Sequence, residues 1–105
     1  MTYKVVLTIE AQEDLERLFD FVLERELARD GGDLDLAADA LSAIKAGLNV
    51  LERFPFTCRK AADTPFLREL VIPFGSTGYV ALFEVVDGET VVVGAVRHQR
   101  EDDYH

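Results

Sequence analysis

The apolar residues of this chain change their spacing at Phe54-Pro55, and this change constrains the fold more than any other feature. Before it, two segments repeat apolar residues every three or four positions, which is typical of amphipathic helices. After it, short runs rich in valine, leucine and aromatic residues indicate β-strands. Helices grouped before strands predict an α+β domain, with a helical hairpin packed on one face of a mostly antiparallel sheet.

The first helix follows a short strand that is predicted over residues 3–9. Its apolar stripe extends over residues 9–28, and Thr8 is placed to cap its first turn. Paired glycines within residues 29–33 end the pattern, because glycine stops a helix at little cost and polar neighbours solvate the turn. So short a loop favours an antiparallel pair of helices.

The second helix is predicted to begin near Asp35. Leu41 belongs to its apolar stripe and is expected to face the sheet, so that Leu41→Asp would unfold the domain. Phe54 ends the helical segment, because a residue that precedes proline is pushed out of the helical region. Residues 56–66 are predicted to form a loop.

Three β segments complete the chain, over residues 67–72, 79–86 and 90–98. Residues 73–78 form the turn between the first two segments. Asp87-Gly88 separates the last two and predicts a two-residue hairpin. Together with the N-terminal strand and the helical hairpin, this meander predicts a single domain over all 105 residues.

Composition excludes several classes of protein. No run approaches the roughly 18 apolar residues of a membrane span, so a cytoplasmic protein without membrane contacts is expected. The single Cys58 cannot form an internal disulfide, and one cysteine with two histidines is too few ligands for a structural zinc site. Neither a cofactor nor a metal is predicted.

The net charge of −9 argues against direct binding of nucleic acid, because such proteins gain affinity from cations that displace counterions. The charge is unevenly divided. Residues 1–52 contain five Lys or Arg and twelve Asp or Glu, whereas residues 53–100 contain six and five. The acidic surplus therefore belongs mainly to the helical half.

Three stretches carry a family resemblance: RFP at residues 53–55, LRELVIP at 67–73, and VRHQRE at 96–101, with the aromatic Tyr79 between the last two. In this order, and over nearly the whole chain, they resemble the ParE branch of the ParE/RelE toxin superfamily. The resemblance implies a small α+β toxin that is neutralised by a cognate ParD-like antitoxin. It also implies DNA gyrase as the target, whereas relatives similar to RelE cut messenger RNA on the ribosome.

One position separates the two branches. RelE-like relatives carry an arginine directly after the aromatic residue of the middle strand, where it stabilises charge on the phosphate. Here Tyr79 is followed by Val80. This departure favours a gyrase inhibitor that catalyses no reaction itself.

The residues predicted to bind the antitoxin or the target are Arg68, Arg97, His98 and Arg100, as cations and donors near the strand ends. None of them is assigned a catalytic step. Two alternatives stay open. One is a ribosome-dependent endoribonuclease using Arg68, Arg97, His98 and Tyr104, and the other is a non-toxic relative that acts only as a binding module.

Overall fold

A computed structural model describes residues 2–61 and 66–99 of the chain. Two α-helices lie between the first strand and the remaining four. The elements are β1 (Lys4–Leu7), α1 (Ile9–Leu27), α2 (Asp35–Asn49), 3₁₀ turns at Val50–Glu52 and Pro55–Thr57, β2 (Arg59–Lys60), β3 (Leu67–Phe74), β4 (Thr77–Val85) and β5 (Thr90–His98).

The strands form one sheet in the order β1-β5-β4-β3-β2. β1 is parallel to β5, and the other neighbours are antiparallel. Both helices pack on one face, so the predicted α+β architecture is confirmed. Among the described residues, neither helix is long and apolar enough to cross a membrane.

The N-terminus of α1 is tied to β5 as well as capped. Thr8 Oγ1 accepts a hydrogen bond from the backbone N–H of Ala11 at 3.1 Å, which confirms the predicted cap. The same hydroxyl lies 3.3 Å from the carbonyl oxygen of Gly94, and Asp14 Oδ2 accepts from the N–H of Val96 at 3.0 Å. These contacts pair backbone groups of β5 beyond the point where β1 ends.

Helix α2 begins at Asp35 as predicted, but it ends at Asn49, five residues before the predicted end at Phe54, and a 3₁₀ turn at Val50–Glu52 follows it. The buried stripe of α2 is centred on Ala40 and Ile44, which are 3% and 1% exposed. Leu41 lies beside that stripe, half-buried on the outer surface between the two helices. The prediction that Leu41 faces the sheet is therefore wrong, because one helical step of about 100° moves it toward α1.

The two hairpin turns differ from the predicted ones. β3 extends to Phe74 and pairs there with Thr77, so that only Gly75 and Ser76 connect β3 to β4. Gly75 has φ 61°, at the first central position where a two-residue hairpin of type II′ needs a positive value. A two-residue hairpin turn was predicted at residues 87–88. The structure has such a turn at residues 75–76 instead.

The connection between β4 and β5 is one residue longer than predicted. The N–H of Val86 donates to the carbonyl of Thr90 at 3.0 Å, which leaves three residues in the loop. Asp87 Oδ1 accepts from the N–H of Glu89 at 2.8 Å and closes a local turn. The two-residue prediction failed because the side chain of Asp87 bonds to its own loop.

One strand is missing from the prediction, β2, which lies within the segment expected to be a loop. Its two residues pair with β3 at the edge of the sheet, Arg59 with Glu69 and Lys60 with Arg68. Arg59 and Glu69 also form an ion pair. A two-residue strand has no periodicity of its own, so only its partner identifies it.

β5 contains a bulge in its middle. Leu82 pairs with Ala95, but the next residue of β4, Phe83, pairs with Val93, so Gly94 is an extra residue on β5. The bulge shifts the alternation of faces by one position for everything that follows it. Val93 and Val96 are both fully buried as a result.

Candidate functional site

The four predicted binding residues do not form one cluster. His98 pairs with Tyr79 at the start of β4, whereas Arg68 pairs with Phe83, four residues further along. That separation is about 13 Å along the strand. Arg97 precedes His98 and lies on the opposite face of the sheet. Arg100 lies outside the described residues.

His98 is held by two neighbours on the helix side of the sheet. Its Nε2 lies 3.1 Å from Thr77 Oγ1, a hydrogen bond in which either atom can donate. Its ring meets the ring of Tyr79 edge to face, with centroids 5.6 Å apart at 87°. These contacts orient the imidazole toward an adjoining groove.

This groove, called the His98 groove below, has a volume of about 610 Å³ and lies between the end of α1, the start of α2 and the β3–β4 turn. Its walls are mostly apolar. The lining residues are Leu18, Phe21, Val22, Arg25, Leu36, Phe74, Gly75, Ser76, Thr77, Tyr79 and His98. An apolar cleft with a few hydrogen-bonding groups at its margin is the usual form of a binding site.

Phe21 and Arg25 form the outer wall of the His98 groove. The Phe21 side chain is 59% exposed, and the guanidinium of Arg25 lies over its ring at 5.9 Å from the centroid. Both residues lie outside the apolar stripe of α1, so periodicity did not identify them. The available signal was an aromatic residue on the polar side of an amphipathic helix.

Arg25 is positioned by a buried carboxylate. Glu26 is 2% exposed and accepts hydrogen bonds from the N–H of Asp33 at 3.0 Å and from Arg25 Nε at 3.3 Å, and Arg29 Nη2 lies 3.3 Å away. The Asp33 N–H, with help from the two arginines, lowers the pKa of Glu26 although burial opposes the shift. Through these contacts, Glu26 holds the loop between α1 and α2 against the end of α1.

Gly32 shows how tightly that loop is packed. A Cβ added to Gly32 would lie 1.9 Å from the carbonyl oxygen of Glu26, closer than any real contact. The second glycine of the loop is therefore required for close approach, and Gly31 supplies a positive φ of 71°. The sequence identified both as turn residues without distinguishing these roles.

Tyr79 carries the hydroxyl in the wall of the groove. Burial raises the pKa of Tyr79, and the positive charge of Arg25 only partly opposes the shift. The shift moves the pKa of this phenol further above neutral pH, which makes Tyr79 still less suited to act as a base.

On the opposite face of the sheet, Val80 lies between Val71 and Arg97 on the neighbouring strands. Val80 is 4% exposed, so the position that carries a cation in RelE-like relatives is occupied here by a buried apolar side chain. Arg97 nevertheless places a cation beside it on the same face.

Arg68 contacts the loop that follows α2. Its Nη1 donates to the carbonyl oxygens of Cys58 at 2.8 Å and Phe56 at 3.5 Å, and its guanidinium lies 5.2 Å from the centroid of the Phe56 ring. These contacts fasten the Pro55–Thr57 turn to β3. The assignment of Arg68 to a binding surface stays a prediction.

Cys58 is not an activated thiol. Partial burial raises its pKa, and the nearby charge of Arg68 does not overcome that effect. Within residues 2–61 and 66–99, no three His, Cys, Asp or Glu side chains are grouped so as to hold a metal ion. Tyr104, named in the endoribonuclease alternative, lies outside the described residues.

The chain is a small α+β protein with a groove beside one end of its sheet, and comparison with known proteins identifies its family. Residues 5–103 match the model of the ParE toxin of the type II toxin–antitoxin system parDE. The chain belongs to the ParE toxin family. Membership implies an antitoxin as a partner.

Two relatives are similar over nearly their whole length. Toxin RelE1 of Caulobacter vibrioides is 31% identical over 101 residues, which cover 96% of this chain and 98% of that protein. A solved structure of the chromosomal ParDE system from P. aeruginosa superposes with a TM-score of 0.72 at 18% identity, covering 91% of this chain and 95% of the other. The second likeness concerns the fold alone.

Proposed function

We propose that this toxin inhibits DNA gyrase in the cytoplasm, is neutralised by a ParD-like antitoxin, and catalyses no reaction itself. The observation that carries the proposal is Val80. It is apolar and 4% exposed at the position where RNA-cleaving relatives present an arginine to the phosphate.

The separation of the polar residues supports the same proposal. Cleavage of RNA needs a base, an acid and cations around one phosphate. Arg68 and His98 lie at opposite ends of the sheet, and Arg97 lies on the other face from His98. Burial raises the pKa of the Tyr79 phenol, which is already protonated at neutral pH at its ordinary value, so the shift makes it less available as a base. Such an arrangement is suited to recognition rather than to a chemical step.

The His98 groove is proposed as a recognition surface for a protein segment. Arg25 is the single Lys or Arg among its lining residues, whereas six of the eleven are Leu, Val, Phe or Tyr. Aromatic residues and arginine are enriched where proteins bind proteins. Arg97, which lies on the opposite face of the sheet, and Arg100 stay proposed as further contacts with the antitoxin or the target.

The proposal is tested with purified gyrase and toxin that has been freed of antitoxin. We expect loss of supercoiling activity at stoichiometric toxin, and weaker inhibition by Phe21→Ser and His98→Ala. Glu24→Gln, a change on the exposed side of α1, is the matched control and should inhibit as the wild type does. Undiminished supercoiling at a large excess of folded toxin contradicts the proposal.

Ribosome-dependent cleavage of messenger RNA is the second candidate function. It is favoured by Arg97, which places a cation beside Val80, and by the similarity to a protein named Toxin RelE1. Primer extension on messenger RNA from a translating extract would show cuts at codon positions. Cuts that disappear with Arg97→Ala would support this candidate over gyrase inhibition.

A further inference from the structure

The His98 groove combines apolar walls with hydrogen-bond donors. The chain contains twenty Asp and Glu, yet among the described residues none of them lines this groove. Its polar lining residues are Arg25, Ser76, Thr77, Tyr79 and His98, and each of these side chains can donate a hydrogen bond. In a protein with a net charge of −9, a concave surface lined in this way is complementary to an anionic group.

Arg25 supplies the positive charge at the margin of the groove. Its Nε donates to Glu26 Oε2 at 3.3 Å, and its side chain is 49% exposed. This bond uses one of the five N–H donors that a guanidinium carries. Glu26 is shared with Arg29, whose Nη2 lies 3.3 Å from Oε1. Two guanidinium groups beside one carboxylate leave this cluster with one net positive charge.

The direction of that charge is fixed from both sides. Glu26 is itself held by the N–H of Asp33 at 3.0 Å, and the guanidinium of Arg25 lies 5.9 Å from the centroid of the Phe21 ring. Burial raises the pKa of Tyr79, and the charge of Arg25 partly opposes the shift. The charge of Arg25 therefore acts within the groove, at the phenol in its wall.

The apolar part of the groove fits the body of a peptide. Leu18 and Val22 are each 5% exposed, and the Phe74 and Tyr79 rings lie with their centroids 6.2 Å apart. A volume of about 610 Å³ is in the usual range of ligand sites and has room for one acidic residue with an apolar neighbour. A polyanion fits less well, because Arg25 is the single Lys or Arg among the described residues that line the groove.

We propose that the His98 groove recognises a short segment of the target protein in which an Asp or Glu stands beside an aromatic residue or a leucine. Arg25 binds the carboxylate, and the apolar walls hold its neighbour. This inference rests on the role of the groove in target recognition proposed above, and it adds the chemistry of the segment that is bound.

The first test selects seven-residue peptides from a random display library on free toxin and discards those that also bind Phe21→Ser toxin. We expect the remaining peptides to be enriched in Asp or Glu next to Phe, Tyr, Trp or Leu. This outcome is specific, because a chain with a net charge of −9 attracts basic peptides over most of its surface. Enrichment of Lys or Arg, apolar peptides without an acid, or no remaining peptide overturns the proposal.

The contact with Arg25 is tested with one selected peptide and a twin in which the amide replaces the acid. On wild-type toxin the twin should bind about 10-fold more weakly, because a charge-assisted hydrogen bond is lost. On Arg25→Gln toxin the two peptides should differ by less than about 3-fold. If Arg25→Gln lowers the melting temperature, Arg25→Lys keeps the charge and should show an intermediate difference.

Arg17→Gln is the matched control for these measurements. Arg17 is on the same helix and its side chain is 48% exposed, but it does not line the groove. The variant removes the same charge and should keep the full difference between the two peptides. An equal difference in Arg25→Gln and Arg17→Gln toxin overturns the proposal.

The supercoiling assay separates this inference from the identity of the target. Arg25→Gln toxin should inhibit gyrase less than the wild type does, and equal inhibition by both overturns the inference while gyrase inhibition stands. If wild-type toxin leaves gyrase active, the proposed function fails, and the peptide comparison alone decides whether the groove binds a carboxylate. A twelve-nucleotide single strand that displaces the peptide from wild-type toxin through Arg25 would assign the groove to phosphate, and would overturn the inference as well.

Discussion

At each end of β4, an aromatic residue of β4 pairs with a nitrogen-bearing side chain of a neighbouring strand, but the two ends differ in what that side chain contacts. At its start, Tyr79 and His98 border the open His98 groove. At its end, the guanidinium of Arg68 lies over Phe56 and bonds to backbone carbonyls of the loop after α2. A cation near a strand end is thus not by itself a binding group. Its role depends on whether neighbouring backbone already satisfies its donors.

The largest expected difference between the ends concerns the rings on β4. Phe83→Ala should lower the free energy of unfolding by about 3–5 kcal/mol, because Phe83 is fully buried and a cavity would remain. Tyr79→Phe removes only a hydroxyl in the groove wall and should cost within about 1 kcal/mol. Urea unfolding measures both, and equal costs would mean that the interactions of the Tyr79 hydroxyl stabilise the fold as much as the packing of a whole buried ring.

Arg68→Ala should cost about 1.5–3 kcal/mol, since charged donors to two backbone carbonyls are lost. Arg53→Ala, at an exposed arginine of the same loop, is the control and should change stability by less than about 0.5 kcal/mol. The affinity of folded Arg68→Ala toxin for antitoxin tests the separate prediction that Arg68 belongs to the binding surface. Reduced affinity under conditions where the variant is fully folded would support that prediction, and unchanged affinity would leave Arg68 with a structural role alone.

At the groove end, Glu26 should make stability depend on acid pH. Its pKa is lower in the folded protein than in the unfolded chain, so its contribution is present above the ordinary carboxyl pKa and is lost as pH falls through the folded value. Urea midpoints between about pH 7 and pH 3 should therefore fall more for the wild type than for Glu26→Gln. Glu24→Gln, which is exposed, should follow the wild type, and parallel curves for all three proteins would exclude this role.

A modest effect on stability is expected at His98. His98→Ala removes the hydrogen bond with Thr77 and the ring contact with Tyr79, and because these lie at the margin of the sheet it should cost about 1–2 kcal/mol. Thr77→Val removes the same bond and keeps the imidazole. If the His98 groove binds a partner through the ring, His98→Ala weakens inhibition or antitoxin binding and Thr77→Val does so less. Equal losses in both variants would show that the hydrogen bond, not the ring, is what matters.

Local chemistry was sufficient to predict much of the fold. Thr8 caps α1 as expected, and Pro55 follows the helical segment, because caps and proline act on their immediate neighbours. The strands were located by their composition. The turns were predicted less well, since Asp87 bonds within its own loop while the pairing of Phe74 with Thr77 leaves only two residues for the first turn.

The candidate site was only partly predictable, because most of its residues are distant from one another in sequence. His98 was selected from its position at the end of a strand, and it does border a groove. Phe21, Arg25 and Glu26 were not selected, because they lie on a helix far from β5 in sequence. Only packing of the helices on the sheet brings them near the β3–β4 turn.

The chain's own residues therefore determine the order and type of its elements and the family to which it belongs. Which of Arg97 and His98 faces the groove was decided by tertiary structure. A strict two-residue alternation from Val93 would place Arg97 on the helix side, but the extra residue Gly94 exchanges the two faces. Three features fix that bulge: the pairing of β5 with β4, the contact of Thr8 with Gly94, and the burial of Val96. Each of them depends on residues that are distant in sequence.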